Sequence, residues 1–263
     1  RVSDILTKYH RKAMVWDEAV EGGLLPTTTM VTGWRGVKQC LQTTKQGYST
    51  IIMPSSVFYL DKRQYPYDKG HNSRNGLSLQ TICDFFFEDV GFEEAQRKNI
   101  AGIEGAFWTE IYLSNIHPEG RFSDYLEYML FPRLFAVSEI AWSKSRRSYD
   151  DMLSLLENSF YSKLDAMNAS YRLSSPIVKM EEEKIQASTE DGSTIFYKNI
   201  RTDEVKEYTA PLDSSLASYV SFHSRLNTGR SSEIALPTYH KYRTRECTVT
   251  SSFTFRPNKP LER

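Results

Sequence analysis

Apolar and polar positions in the first two-thirds of the chain follow two alternating patterns. Short apolar runs, AMVW (13–16), TTMVTGW (28–34) and STIIMP (49–54), alternate with segments of helical spacing, RGVKQCLQTTKQ (35–46) and LSLQTICDFFFED (77–89), and another apolar approach ends at Trp108. Strand, helix and strand at this spacing predict parallel βα units. Two helices are predicted next. One runs from the capping candidate Ser123 through YLEYMLFPRLFAVSEIAWSK, where Pro132 should kink or interrupt it. The other spans Tyr149 to Met167, with Met152, Leu155, Leu156, Phe160 and Leu164 on one face.

After YRLSSP (171–176) the period changes. The segments KIQAST, TIFYKN, EVKEYTAPL, SYVSFHSRL, EIALP and ECTVTSSFTF are short and strand-like, with turn signals at Glu190-Asp191-Gly192-Ser193 and Asn227-Thr228-Gly229. Short strands and turns about every ten residues predict a small all-β sandwich. The boundary falls near residue 175, giving an α/β domain over 1–175 and a β domain over 176–263.

Composition narrows the partners. At 263 residues and 30.4 kDa the chain has ample material for a hydrophobic core. Lys plus Arg equals Asp plus Glu at 33 each, so net charge gives no reason to expect nucleic acid or an anionic membrane. Cys40, Cys83 and Cys247 are odd in number and far apart, which excludes a fully paired disulfide framework and a CxxC metal knuckle. No run has the length of a membrane span, and the chain starts at Arg1 without a signal peptide or initiating Met, which suits a processed or truncated product.

Candidate chemistry lies where the apolar approaches end. Three of them close on an aromatic residue followed by a carboxylate, as Trp16-Asp17-Glu18, Tyr59-Leu60-Asp61 and Trp108-Thr109-Glu110, and Trp34 closes a fourth. In an extended strand residues i and i+2 share a face, so Trp108 and Glu110 are expected side by side. The C-terminal strand ends of a parallel barrel hold its site, which predicts one shared pocket. Aromatic faces cover the C–H face of a pyranose and carboxylates accept its hydroxyls, so a sugar fits better than a phosphate. Any single pair is more often core or solvated surface. Trp142 is assigned to packing its helix on the barrel, and the Glu181-Glu182-Glu183 run to a solvated turn. The histidines at 10, 71, 117, 223 and 240 lack metal-binding spacing, so no metal is expected. No GxSxG, Walker or GxGxxG pattern occurs.

The succession WDE, VTGW, YLD, GAFWTE and FPRLFAVSEIAW over residues 10 to 172 resembles the C-terminal half of the catalytic (β/α)8 TIM barrel of glycoside hydrolase family 20, the exo-β-N-acetylhexosaminidases. The tail, with DGSTIFYK and KEYTAPL, resembles a β-sandwich appended to bacterial members. The resemblance implies the last four βα units of a retaining hydrolase that removes terminal β-linked N-acetylglucosamine or N-acetylgalactosamine by substrate assistance, the acetamido oxygen replacing the usual enzyme carboxylate. No cofactor is implied, and the partner is a glycan ending in a β-linked N-acetylhexosamine. By the same resemblance Tyr59 bonds the acetamido oxygen, and Trp16, Trp34 and Trp108 wall the pocket with Trp108 beneath the ring. Glu110 takes the 4-hydroxyl and Asp61 a hydroxyl at position 4 or 6. An extracytoplasmic location follows from the family's exported substrates.

The sequence also departs from the family pattern. The Asp-Glu acid pair of a His-x-Gly-Gly-Asp-Glu motif is absent, as are the first barrel strands, the Arg that grips the outer hydroxyls and any Trp between residues 62 and 100. Without that pair the chain is expected to bind but not to transfer the proton. A half barrel leaves open edges, so association with itself or with the remaining half is expected. The alternative is a non-catalytic glycan-binding or scaffold protein.

Overall fold

The computed structural model describes residues 2–239 apart from 24, 66–67, 72–75, 111–120, 227–228, 233–234 and 236. The chain divides into two compact units, Arg1–Arg172 and Leu173–Arg263.

The first unit opens with helix α1 (Val2–Lys8) and is built on four parallel strands, β1 (Met14–Trp16), β2 (Met30–Gly33), β3 (Ser49–Ile52) and β4 (Ile100–Ile103), hydrogen-bonded in chain order. Parallel neighbours need a crossover. Helix α2 (Val37–Lys45) supplies it between β2 and β3, and the short helices α3 (Leu79–Cys83) and α4 (Glu94–Arg97) lie between β3 and β4. Val31 and Ile52 are fully buried beneath these helices. Gly33 lets α2 approach the end of β2: a Cβ there would lie 2.5 Å from Cys40 Sγ, whose thiol donates to the Gly33 carbonyl at 3.2 Å. Cys40 and Cys83 are free thiols, and burial pushes their pKa up to about 12 and about 11, so they act as small core residues.

Three helical expectations are corrected. The helix expected over 77–89 stops at Cys83, and the aromatic run beyond it packs edge to face, Phe58 on Phe85 at 5.2 Å, Phe85 on Phe87 and Phe87 on Phe92 at 5.5 Å each. Consecutive phenylalanines would spread around a helix, whereas this coil turns them into one cluster. Pro132 interrupts the next helix as expected, giving α5 (Phe122–Leu130) and α6 (Arg133–Trp142), because the residue before proline is pushed into extended backbone; what is corrected is the start of α5. Its N-cap is Arg121, and Ser123 lies inside the helix. Third, Trp142 does not pack α6 on the sheet. The buried residues of α6 are Arg133, Ala136, Val137 and Ile140, and a residue two places past Ile140 sits about 200° round the helix; Trp142 is 87% exposed.

Helices α7 (Tyr149–Leu155) and α8 (Tyr161–Ala166) are joined through a π-turn, Leu156–Phe160. The wider turn shifts the buried line from the expected Phe160 to Tyr161, giving Met152, Leu156, Tyr161 and Leu164. Phe160 packs at a tilt against Phe135 with centroids 4.2 Å apart.

The second unit holds strands β5 (Ile177–Glu181), β6 (Lys184–Ser188), β7 (Thr194–Asn199), β8 (Val205–Glu207), β9 (Leu212–Asp213), β10 (Val220–Arg225) and β11 (Thr238–Tyr239). They form two sheets, ordered β11-β5-β6-β9 and β10-β7-β8. Val178 and Ile185 of the first sheet and Ile195, Val220 and Phe222 of the second meet in one apolar cluster. The glutamate run ends the hairpin of β5 and β6, with Glu182 and Glu183 at φ 47° and 60° as a two-residue turn requires. Strands β5 and β11 were not anticipated, and ECTVTSSFTF (246–255) lies outside the described residues.

Candidate active site

Trp16 is the last residue of β1, and Trp34 follows β2 directly. Tyr59 stands seven residues beyond β3 and Trp108 five beyond β4, on coil rather than on the strand ends. A parallel bridge joins these two coils at Tyr59 and Ala106: Leu60 N–H donates to Ala106 O at 2.7 Å, and Ala106 N–H to Phe58 O at 2.8 Å. Phe107 then packs against Phe122 and Tyr125 of α5, which fixes the peptide that carries Trp108.

The four rings converge. Trp34 stacks on Tyr59 at 6.2 Å and 20°, Tyr59 meets Trp108 at 6.1 Å, and Trp108 meets Trp16 at 6.0 Å. Strands in a sheet are about 4.8 Å apart, so β1 and β4, three places apart, would hold their end residues roughly 14 Å apart on a flat surface. Contact between Trp16 and Trp108 therefore closes a wall across the C-terminal edge of β2 and β3. Trp16 is 45% and Trp108 39% exposed. A tryptophan buries roughly 200 Å², so covering the open part of each contributes about 2 kcal/mol at about 25 cal/mol per Å².

Glu110 is exposed and helical in backbone, immediately before residues 111–120, which lie outside the described residues. The strand that would have aligned it with Trp108 ends at Ile103, so the expectation of an aromatic and a carboxylate sharing a strand face is corrected.

Two further carboxylates organise the site. Asp17 is buried and accepts from Arg35 Nε at 2.9 Å and from its main-chain N–H at 3.3 Å; Arg35 also pairs with Glu21 at 2.6 Å. Glu18 accepts the Trp34 indole N–H with both oxygens at 2.9 Å. Desolvation raises the pKa of Asp17, and a hydrogen bond with Glu18 raises it further against the pull of Arg35. Burial likewise raises the Tyr59 pKa, with Asp61, Asp17 and Glu18 adding to the rise and a bond from the Trp108 indole opposing it, so the phenol stays a hydrogen-bond donor at neutral pH.

Asp61 is buried, and among the described residues its Oδ1 has no hydrogen-bond partner. Desolvation raises its pKa, opposed by its own backbone N–H and by His71, Lys62 and Arg133. An acid with a raised folded pKa binds more protons folded than unfolded, so stability falls as pH rises from the ordinary value of 3.8 through the raised one. Asp61→Asn should therefore flatten the fall in the urea midpoint as pH rises above the ordinary carboxylate value of 3.8. Equal falls in wild type and variant would show that Asp61 is not the group responsible.

The loop with Tyr59 and Asp61 is held by two cations to which sequence reasoning gave no role. Lys62 Nζ donates to Ser55 O at 2.5 Å and lies 5.8 Å from the Tyr59 ring centroid, and Ser55 N–H donates to Trp34 O at 2.7 Å. Arg133 is wholly buried and donates to four carbonyls, Leu60 at 2.6 Å, Lys62 at 2.9 Å, Leu77 at 3.0 Å and Met129 at 2.5 Å. A lone Arg on the apolar face of FPRLFAVSEIAW was the available signal. Among the described residues no three His, Cys, Asp or Glu side chains gather as a metal site, and no helix is long and apolar enough to cross a membrane.

Parallel βα units with an aromatic wall across their C-terminal edge define a TIM-barrel-like α/β catalytic domain of the carbohydrate-active kind. The family described as glycosyl hydrolase family 20, catalytic domain, matches residues 1–145, and the chain belongs to it. A β-hexosaminidase of Porphyromonas gingivalis is 25% identical over 175 residues, 65% of this chain and 21% of that protein. One of Vibrio furnissii is 28% identical over 131 residues, 48% of this chain and 20% of that protein. The chain thus spans about a fifth of the length of these relatives. The crystal structure of a family 20 exo-β-N-acetylglucosaminidase from Vibrio harveyi with N-acetylglucosamine matches with a TM-score of 0.56 at 29% identity, covering 65% of this chain and 26% of that one.

Proposed function

We propose that this chain is the sugar-holding part of a retaining exo-β-N-acetylhexosaminidase that acts on terminal β-linked N-acetylglucosamine or N-acetylgalactosamine. The convergence of Trp16, Trp34, Tyr59 and Trp108 on one side of the parallel sheet carries this reading. The rings enclose the terminal sugar and exclude water, with Trp108 beneath it, while Asp61 and Glu110 take outer hydroxyls. The Tyr59 hydroxyl donates to the acetamido oxygen as that oxygen attacks the anomeric carbon and the glycosidic bond breaks. The contact holds that oxygen in line with the anomeric carbon, so its contribution is one of orientation. Water then opens the oxazolinium with net retention.

The leaving oxygen needs a proton, and the 263 residues hold no His-x-Gly-Gly-Asp-Glu acid pair. The chain on its own therefore binds and does not turn over. Strands β1 and β4 are the edges of the described parallel sheet, and the segment bearing the acid pair, or a second copy, covers them. For the second unit we propose a β-sandwich, supported by the apolar cluster that its two sheets share.

The test is calorimetric titration of the chain with N-acetylglucosamine and with glucose, beside hydrolysis of a chromogenic β-N-acetylglucosaminide by this chain and by a longer form carrying the acid pair. Selective binding of N-acetylglucosamine, with turnover in the longer form only, is the expected result. Turnover by the short chain would overturn the assignment of the acid. Binding without turnover in either form would make the chain a glycan-binding module.

A further inference from the structure

We propose that Glu18 is a positioning residue of the pocket: it fixes the indole of Trp34, so that the ring stacked on Tyr59 forms one preformed wall for the sugar. This rests on the sugar-pocket reading above.

Two adjacent carboxylates just after β1 take two adjacent residues just after β2. Asp17 holds Arg35 by side chain and main chain, and Glu18 holds Trp34 by its ring nitrogen. The side chain of Asp17 is wholly buried, which anchors the peptide from which Glu18 projects. The arrangement thus fixes both the main chain beside Trp34 and the rotation of its side chain. An indole N–H is a donor only and needs an acceptor, which the carboxylate provides with both oxygens. Tyr59 covers one face of the ring, and Ser55 N–H holds the Trp34 carbonyl. Without Glu18 nothing described here bonds the indole nitrogen, and a ring free to turn must be ordered each time the sugar binds.

Glu18 is exposed, and exposed hydrogen-bonded or ionic pairs contribute little to global stability. A structural role and a positioning role therefore predict different results. Glu18→Leu should leave the urea midpoint close to wild type and weaken N-acetylglucosamine binding about three- to tenfold, the equivalent of one net hydrogen bond. Glu18→Gln keeps an amide oxygen for the indole and should bind within about twofold of wild type. In a cycle with Trp34→Phe, which lacks the N–H, the two losses should be strongly non-additive.

The chain has four tryptophans, so ¹⁵N-indole spectra give a small set of resonances, with that of Trp34 identified by its loss in Trp34→Phe. In Glu18→Leu this resonance should move, and the Trp34–Tyr59 nuclear Overhauser contacts should weaken. An unmoved resonance overturns the proposal, as does unchanged affinity in a variant whose resonance has moved. A wild-type chain that binds no sugar overturns the pocket reading instead; whether Glu18 orders the ring is then decided by the resonance and the Overhauser contacts alone.

Discussion

Replacing Arg133 by methionine should lower the unfolding free energy by about 3–5 kcal/mol, read as a lower urea midpoint at an unchanged slope. The guanidinium is wholly buried and fills its site with four donated bonds to carbonyls of three separate stretches: the loop after β3, the return at Leu77 and the end of α5. Methionine keeps the apolar stem of the side chain but ends short of the guanidinium and donates nothing, so each carbonyl loses a buried partner. Burial pulls the Arg133 pKa down to about 9, which still leaves a cation at neutral pH, solvated by carbonyl dipoles in place of water. Arg133→Lys keeps the charge and reaches fewer carbonyls, so it should fall between the two. A change of under about 1 kcal/mol in the methionine variant would mean that these bonds reform with water, and the clamp account would fail.

Arg133 also bears on the site, because Leu60 and Lys62 flank Asp61 and follow Tyr59. Removal of the clamp should disturb the near-ultraviolet circular dichroism of the aromatic cluster before the fold is lost. The Arg133 clamp thus acts together with the Tyr59–Ala106 bridge in setting the direction of Tyr59.

In a longer, active form, Tyr59→Phe should reduce kcat by roughly 10²-fold while KM changes little, the pattern of a contact that aligns the attacking oxygen. Phenylalanine keeps the ring that stacks on Trp34 and meets Trp108, so the wall stays and only the hydroxyl is lost. Fluorescence and urea midpoints should match wild type. A rise in KM at constant kcat would reassign Tyr59 to ground-state binding, and wild-type kinetics would remove it from the reaction.

Much of the site could be read along the chain, but its directions could not. The aromatic residues stand out because each follows an apolar run. The hydrophobic period that marks such a run gives no sign of its last hydrogen-bonded residue. The period therefore predicts Trp108 as a strand residue aligned with Glu110, whereas the ladder stops at Ile103 and coil carries the ring five residues further. Trp142 shows the reverse: an aromatic in a helix suggests burial, but the buried face of α6 is set by Arg133, Ala136, Val137 and Ile140. A buried arginine misleads any reading that equates charge with surface, because its cost is met by carbonyls distant in sequence.

Local chemistry by itself determined the parallel βα pattern, the break at Pro132, the later change to short strands and the residue types of a sugar pocket. These follow from the side-chain period, the missing N–H of proline and the donors and acceptors each residue carries. Only the tertiary structure decided that Trp16, at the end of one outer strand, and Trp108, on the coil after the other, meet, that Glu18 takes Trp34, and that Arg133 holds the Tyr59 loop. Each joins positions 16 to 92 residues apart in the chain. Such contacts depend on how the sheet curves and where its connections cross, which no local window of sequence encodes.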